Sequence, residues 1–137
     1  MDVAEGKLNV EDLEKSIGRK AERTGAVAKF TIGREDLHVA EMGAAINARM
    51  GLNTWAAFVG SDGHAAVAGD VAMREHEVQP VLKALRSHGL EVVAIHHHMI
   101  NTTPTIIFLH YWGKGPADKL ATGFKAALDE LGKGGKQ

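Results

Sequence analysis

Hydrophobic and polar positions along the chain change period several times, and each change predicts an element. Val10, Leu13 and Ile17 recur at helical spacing after Asn9, a residue suited to an N-cap, with Glu11 and Asp12 in the first turn and Gly18 as a stop. A helix over 9–17 is expected. Val27 to Ile32 alternates as a strand does, Gly33 to Asp36 reads as a turn, and Leu37 to Glu41 reads as a second strand. Residues 44–50, boxed between Gly43 and Gly51, suit a helical turn and an irregular strand equally. Two β-like runs, 54–59 and 64–72, then flank Gly60-Ser61-Asp62-Gly63, a strong hairpin signal. Their many alanines are thin, so a closely packed partner is expected on that sheet, by default a helix.

Further along, Val78, Val81, Leu82 and Leu85 form an apolar stripe, predicting a helix over 75–87 that Gly89 terminates. Pro80 fits only the first turn of a helix, which moves the regular part towards Val78. Apolar runs 90–99 and 105–112 about Asn101-Thr102-Thr103-Pro104 predict another antiparallel hairpin. Leu120, Ala121, Phe124, Leu128 and Leu131 mark a last helix over 117–131. Strands joined by tight turns make a mainly antiparallel sheet with helices packed on one face, so the fold class is α+β. The second half, strand-helix-strand-strand-helix, is similar to a ferredoxin-like half-unit. The expected organisation is one domain over 9–131, between an N-terminal arm (1–8) and a Gly-rich tail (132–137).

Composition narrows the classes of function. The 137 residues carry 16 basic and 17 acidic side chains, which gives no electrostatic footprint for nucleic acid or an anionic membrane. There is no cysteine, which removes disulfides, thiolate metal sites and cysteine nucleophiles together. No apolar run reaches 18 residues, and the first residues do not read as a signal peptide. The expectation is a soluble, cytoplasmic protein, although a chain trimmed of a targeting segment would read the same. No phosphate-cradling glycine motif or Gly-x-Ser-x-Gly elbow is present.

Eight histidines are a surplus, and four of them lie in the last predicted hairpin. His96 and His98 are two apart on one strand and share a face; a turn near Thr103 sets His110 opposite His96. Three converging imidazoles suit a divalent transition metal, zinc above all, with one coordination position left open. The bland alternative is a polar sheet face whose histidines bond one another or line a subunit interface. His97 points the other way. Asp70, at the end of the Ala-rich strand, and Glu75, opening the helix, are the candidate carboxylates for orienting a ligand or moving a proton; each also has a plain role as a cap or dipole-stabilising acid. His38 and Glu41 are weaker candidates. His64, at a hairpin tip, and His76 and His88, at helix ends, are expected at the surface.

Trp55-Ala56-Ala57-Phe58, Gly69-Asp70, Glu75-His76-Glu77-Val78-Gln79-Pro80-Val81, His96-His97-His98-Met99 and His110-Tyr111-Trp112-Gly113 occur in that order. With Ile17-Gly18-Arg19-Lys20 and Arg34-Glu35-Asp36-Leu37 near the start, this string resembles the LppY/LpqO-like family, a domain of unknown function, over Asn9 to Leu131. The resemblance implies a His-x-His pair at His96 and His98, a further histidine at His110, and acidic positions at Asp70 and Glu75. His97 stands where the family often has asparagine. The family's exported lipoproteins carry a signal sequence and lipobox cysteine that this chain lacks. Many members hold two copies of the unit; a single copy implies a homodimer.

Three functions follow as expectations. The first is a metal-binding or sensing domain using His96, His98 and His110. The second is a small-molecule-binding or assembly module with structural histidines. The third is a metal-dependent hydrolase in which Asp70 or Glu75 handles the proton.

Overall fold

The computed structural model describes residues 7–34, 36–47, 50–97 and 102–133. The chain opens with helix α1 (Val10–Ile17), followed by strands β1 (Glu22–Thr24), β2 (Val27–Gly33), β3 (Val39–Glu41) and β4 (Ala44–Ile46). A long hairpin follows, β5 (Asn53–Ser61) and β6 (His64–Met73), then a 3-10 turn (Glu75–Glu77) leading into helix α2 (Val78–Ser87). Strands β7 (Glu91–His96), β8 (Thr102–Thr103) and β9 (Ile107–Gly115) and helix α3 (Ala117–Asp129) complete it. The class is α+β, as the patterning predicts. Residues 44–46 settle as a strand, and α2 begins at Val78, which leaves Pro80 in its first turn.

Six strands form one antiparallel sheet in the order β1-β2-β5-β6-β9-β7; β4-β3-β8 form a smaller one. Strands β6 and β7 both pair antiparallel with β9, which lies between them, so α2 crosses over a gap that β9 later fills. This is the split βαβ of the ferredoxin-like half-unit. The expected hairpin partners, β7 and β9, do pair, but the segment between them includes β8, which joins β3 in the smaller sheet.

Helices and sheet meet on one face. Phe30, Phe58, Val67, Val71, Leu109 and Tyr111 pack there against Leu13 and Ile17 of α1, Val81 and Leu85 of α2, and Leu120 and Phe124 of α3. The Ala-rich hairpin serves this face through Ala56 and Ala65, while Ala57, Ala66, Ala68 and Ala72 face the opposite side. There, one end of the sheet is covered: Ala72 and Phe108 form a second small core with Val39, Leu52 and Ile106. The helix default therefore holds for only two of those six alanines.

Local chemistry fixes the ends of these elements. The Asn9 side chain accepts from the Asp12 N–H at 3.2 Å, and Gly18 closes α1 in the left-handed conformation at φ 79°. At the β5–β6 tip, the Asp62 carboxylate accepts from the Asn9 N–H at 2.7 Å and its carbonyl accepts from the Ala117 N–H at 2.8 Å. One turn residue thus holds the starts of two helices. At the other end of the molecule the Gly132 N–H donates to Glu77 at 2.6 Å, tying down the chain just after α3. Among the described residues, no helix is long and apolar enough to cross a membrane.

Candidate functional site

The sheet face turned away from the helices carries the chemistry. Paired residues on neighbouring strands share a face, so the register assigns its rows. One row runs Thr31, Trp55, Asp70, His110, Ala94 across β2, β5, β6, β9 and β7. The rows on either side contain Lys29, Ala57, Ala68, Trp112, Glu91 and, nearer the small second core, Ala72, Phe108, His96.

Asp70 and His110 are direct cross-strand neighbours and are bonded, His110 Nδ1 to Asp70 Oδ1 at 2.7 Å. A carboxylate can only accept, so Nδ1 carries the proton, and in the neutral ring it is Nε2 that has the lone pair. The Asp70 side chain is 10% exposed and that of His110 37%, so the acid is mostly sunk into the sheet while the ring reaches solvent. Trp55 flanks the ring, with centroids 6.2 Å apart, and the Lys29 ammonium lies 4.8 Å from the centre of the Trp55 ring. A histidine with its tautomer fixed, its ring flanked and one nitrogen outward can bind a metal or accept a proton.

His96 lies on β7, but opposite Phe108 rather than His110; Ala94 takes the place opposite His110. The expected register is corrected here, and an irregularity between Val92 and Ala94 accompanies the shift. His96 and His110 are therefore diagonal neighbours on one face, with Cβ atoms separated by about 7 Å, within reach of two imidazoles. His98 lies outside the described residues. His97, exposed, follows the end of β7. Among the described residues, no group of three or more His, Asp or Glu side chains is arranged to hold a metal ion.

The remaining candidates separate clearly. Glu75 is exposed at the head of the 3-10 turn beyond β6, and no hydrogen bond or ion pair joins it to His110 among the described residues. His38 is exposed just before β3, and Glu41 pairs through its backbone with Thr102. His88 is exposed and bonded through Nδ1 to the Ala84 carbonyl at 2.8 Å. His64 and His76 depart from expectation: His64 Nε2 and both ring nitrogens of His76 are buried without a hydrogen-bond partner among the described residues.

The pattern reading missed a buried ion pair between Arg34, expected in a turn, and Glu77, expected in a helix. The guanidinium reaches Glu77 at 2.7 and 3.0 Å, Asp36 at 2.8 and 3.0 Å, and the Ala72 carbonyl at 2.9 Å. Glu77 also accepts from the backbone N–H of Arg74 and of Gly132. Burial alone would raise the Glu77 pKa, but these donors outweigh it and hold the carboxyl below its ordinary value. The hydrogen bonds from Arg34 lower Asp36 likewise. Burial disfavours the Arg34 charge, yet its two acids raise its pKa further above the ordinary value. The network joins the β2 exit, the β6–α2 connection and the residues after α3. In sequence both partners are lost among neighbouring charges, Arg34-Glu35-Asp36 and Arg74-Glu75-His76-Glu77, and nothing local singles them out.

No curated protein and no solved structure matches this chain. A family defined at the sequence level matches residues 11–130, which takes in α1 from its second residue, strands β1 to β9, the Asp70–His110 pair and all of α3. By that match the chain belongs to the family described as Domain of Unknown Function (DUF1259).

Proposed function

We propose that the chain is a metal-binding domain of the binding or sensing kind, with His110, His96 and His98 as ligands and a divalent transition metal, zinc first, as the ion. The observation that carries this reading is the Asp70–His110 bond. A buried carboxylate on Nδ1 is the usual partner of a metal-ligating imidazole, since it fixes the ring and raises the basicity of Nε2. His96 supports it from the adjacent strand, and His98 is included from the His-x-His spacing of the sequence alone. All-nitrogen ligation suits zinc, copper or nickel and disfavours calcium and magnesium. Binding is preferred to hydrolysis because Asp70 is occupied in orienting His110 and Glu75 stands apart from it, so neither is left to move a proton. Within the wider family, the ordered string from Trp55 to Gly113 supports the LppY/LpqO-like assignment.

Zinc titration calorimetry on untagged protein tests the reading. One ion per chain is expected for the wild type, and His110→Ala, His96→Ala and His98→Ala each remove most of the heat. Asp70→Asn keeps the fold and weakens binding by roughly 10- to 100-fold. A wild type that takes up no zinc, or a His110→Ala variant that binds as before, contradicts it. Loss of self-association in the same variants, without metal, favours histidines that build a subunit interface.

A further inference from the structure

The two edges of the large sheet are unlike. Strand β1 closes one edge with three exposed residues, Glu22-Arg23-Thr24, whose charge and shortness discourage further pairing. Strand β7 ends the other edge, and among the described residues it pairs with β9 alone. It is six residues long, Glu91-Val92-Val93-Ala94-Ile95-His96, with no lysine, arginine or proline to guard it. Val93 is 53% exposed and Ile95 47%, and Trp112, which pairs with Glu91, is 38% exposed. Half of the exposed large apolar side chains among the described residues are therefore gathered at this edge. A long, apolar outer strand is a template for another strand.

The sequence of β7 suits a second copy of itself. Glu91, Ala94 and His96 pair with Trp112, His110 and Phe108 and so take the open face; Val92 and Ile95 pair with Tyr111 and Leu109 on the helix face. Run antiparallel about a two-fold axis between Val93 and Ala94, β7 meets its copy with Glu91 opposite the partner's His96 and Val92 opposite the partner's Ile95. Acid then faces imidazole, apolar faces apolar, and each pair shares a face. A slip of one residue either way sets open-face against helix-face side chains. The irregularity between Val92 and Ala94 is the one guard this edge has. About that axis the two irregularities meet at the centre and leave 91–92 and 95–96 to pair regularly. Arg86 of α2 lines a hollow with Glu91 and Val92, so the acid is set among bases, and no like charges stand directly opposite. We infer that β7 is the surface through which two copies of this chain join, as a two-fold antiparallel pair that continues one sheet into the next. The joint needs no metal, but it brings the partner's Glu91 beside His96, so the second copy adds a carboxylate at the border of the proposed metal site.

Sedimentation of untagged protein with a chelator present is the test. The wild type should show a monomer–dimer equilibrium with Kd of about 10 μM, in keeping with a small interface. Val93→Lys should weaken it by roughly tenfold or more with far-ultraviolet circular dichroism unchanged. Ile95→Lys serves the same purpose should the first variant misfold. His110→Ala, one strand in from the edge, should leave the dimer intact. The chain has no cysteine, so cross-linking reads the register cleanly. Positions 91 and 96 of one strand lie about 16 Å apart, too far for a disulfide within one chain. Oxidised Glu91→Cys/His96→Cys should therefore form covalent dimers, whereas either single-cysteine variant should form few. A wild type still monomeric at about 1 mM, a dimer that folded lysine variants leave intact, dissociation by His110→Ala, or equal cross-linking by the single variants would each overturn the proposal. Because the chelator is present throughout, none of these results depends on the metal reading.

Discussion

Arg34 and Glu77 meet at side-chain exposures of 3% and 1%, where neither charge is solvated by water. Such a pair adds little over a well-packed apolar one, but breaking it leaves a buried charge unpaired. Arg34→Met is therefore expected to cost about 3–5 kcal/mol in urea unfolding. Asp36→Asn, at a carboxylate nearly half exposed, should cost less than about 1 kcal/mol. The network also sets an acid limit. Glu77 and Asp36 titrate lower in the folded state than their ordinary values of 4.5 and 3.8. Their stabilisation is thus complete above those values and is lost as pH falls through the depressed folded ones. The urea midpoint should hold from neutral pH down to the mid-4s and then decline, with a shallower decline in Arg34→Met. His76 tests the opposite case. Its two ring nitrogens are buried without a hydrogen-bond partner among the described residues, so His76→Leu is expected to raise the unfolding temperature rather than lower it.

At the scale of elements, the β5–β6–β9 ladder positions the site and depends on one glycine. Tyr111 leans across Gly69 so that its hydroxyl donates to the Trp55 carbonyl at 2.9 Å, and any Cβ at Gly69 would collide with both groups. Burial keeps that hydroxyl protonated, and nearby Asp70 adds to the effect. Gly69→Ala should cost about 3 kcal/mol, and it should also disturb the register that sets Asp70 beside His110. Thermal denaturation gives the first effect, and loss of the His110 Nδ1–H resonance gives the second. Much of this level was legible in sequence. The Asp62-Gly63 turn, the α2 stripe and the Asn9 cap are local signals, and local physics decided them. The register of β7 on β9 was not legible, because the connection between them is no tight turn but includes β8 of the other sheet, and His96 meets Phe108, two residues from the expected His110. The alanines misled for a related reason: alternation tells which residues share a face, not which face a helix will cover.

For the whole molecule, three helices on one side of the sheet leave the other side half open, and the small sheet covers only the end near Phe108. This asymmetry keeps His110, Trp55 and Lys29 at the surface, with Asp70 sunk beneath His110, while the same strands bury Leu109, Tyr111 and Phe58 behind them. The split βαβ matters here, since inserting β9 between β6 and β7 sets His110 between the strands of Asp70 and His96. Sequence supplied the histidines and named Asp70. Pairing Asp70 with His110 required β6 and β9 to be neighbours, a contact between residues 40 apart that no local pattern encodes.

The central claim is that Asp70 holds the Nδ1 proton of His110 so that Nε2 can ligate a metal. Long-range proton–nitrogen NMR of the histidine rings, recorded with and without one equivalent of zinc, addresses it directly. The account predicts His110 as the Nδ1–H tautomer in both states, with zinc moving its Nε2 resonance together with ring resonances of His96 and His98. A His110 ring protonated on Nε2, or ring resonances that zinc leaves unmoved, would contradict it.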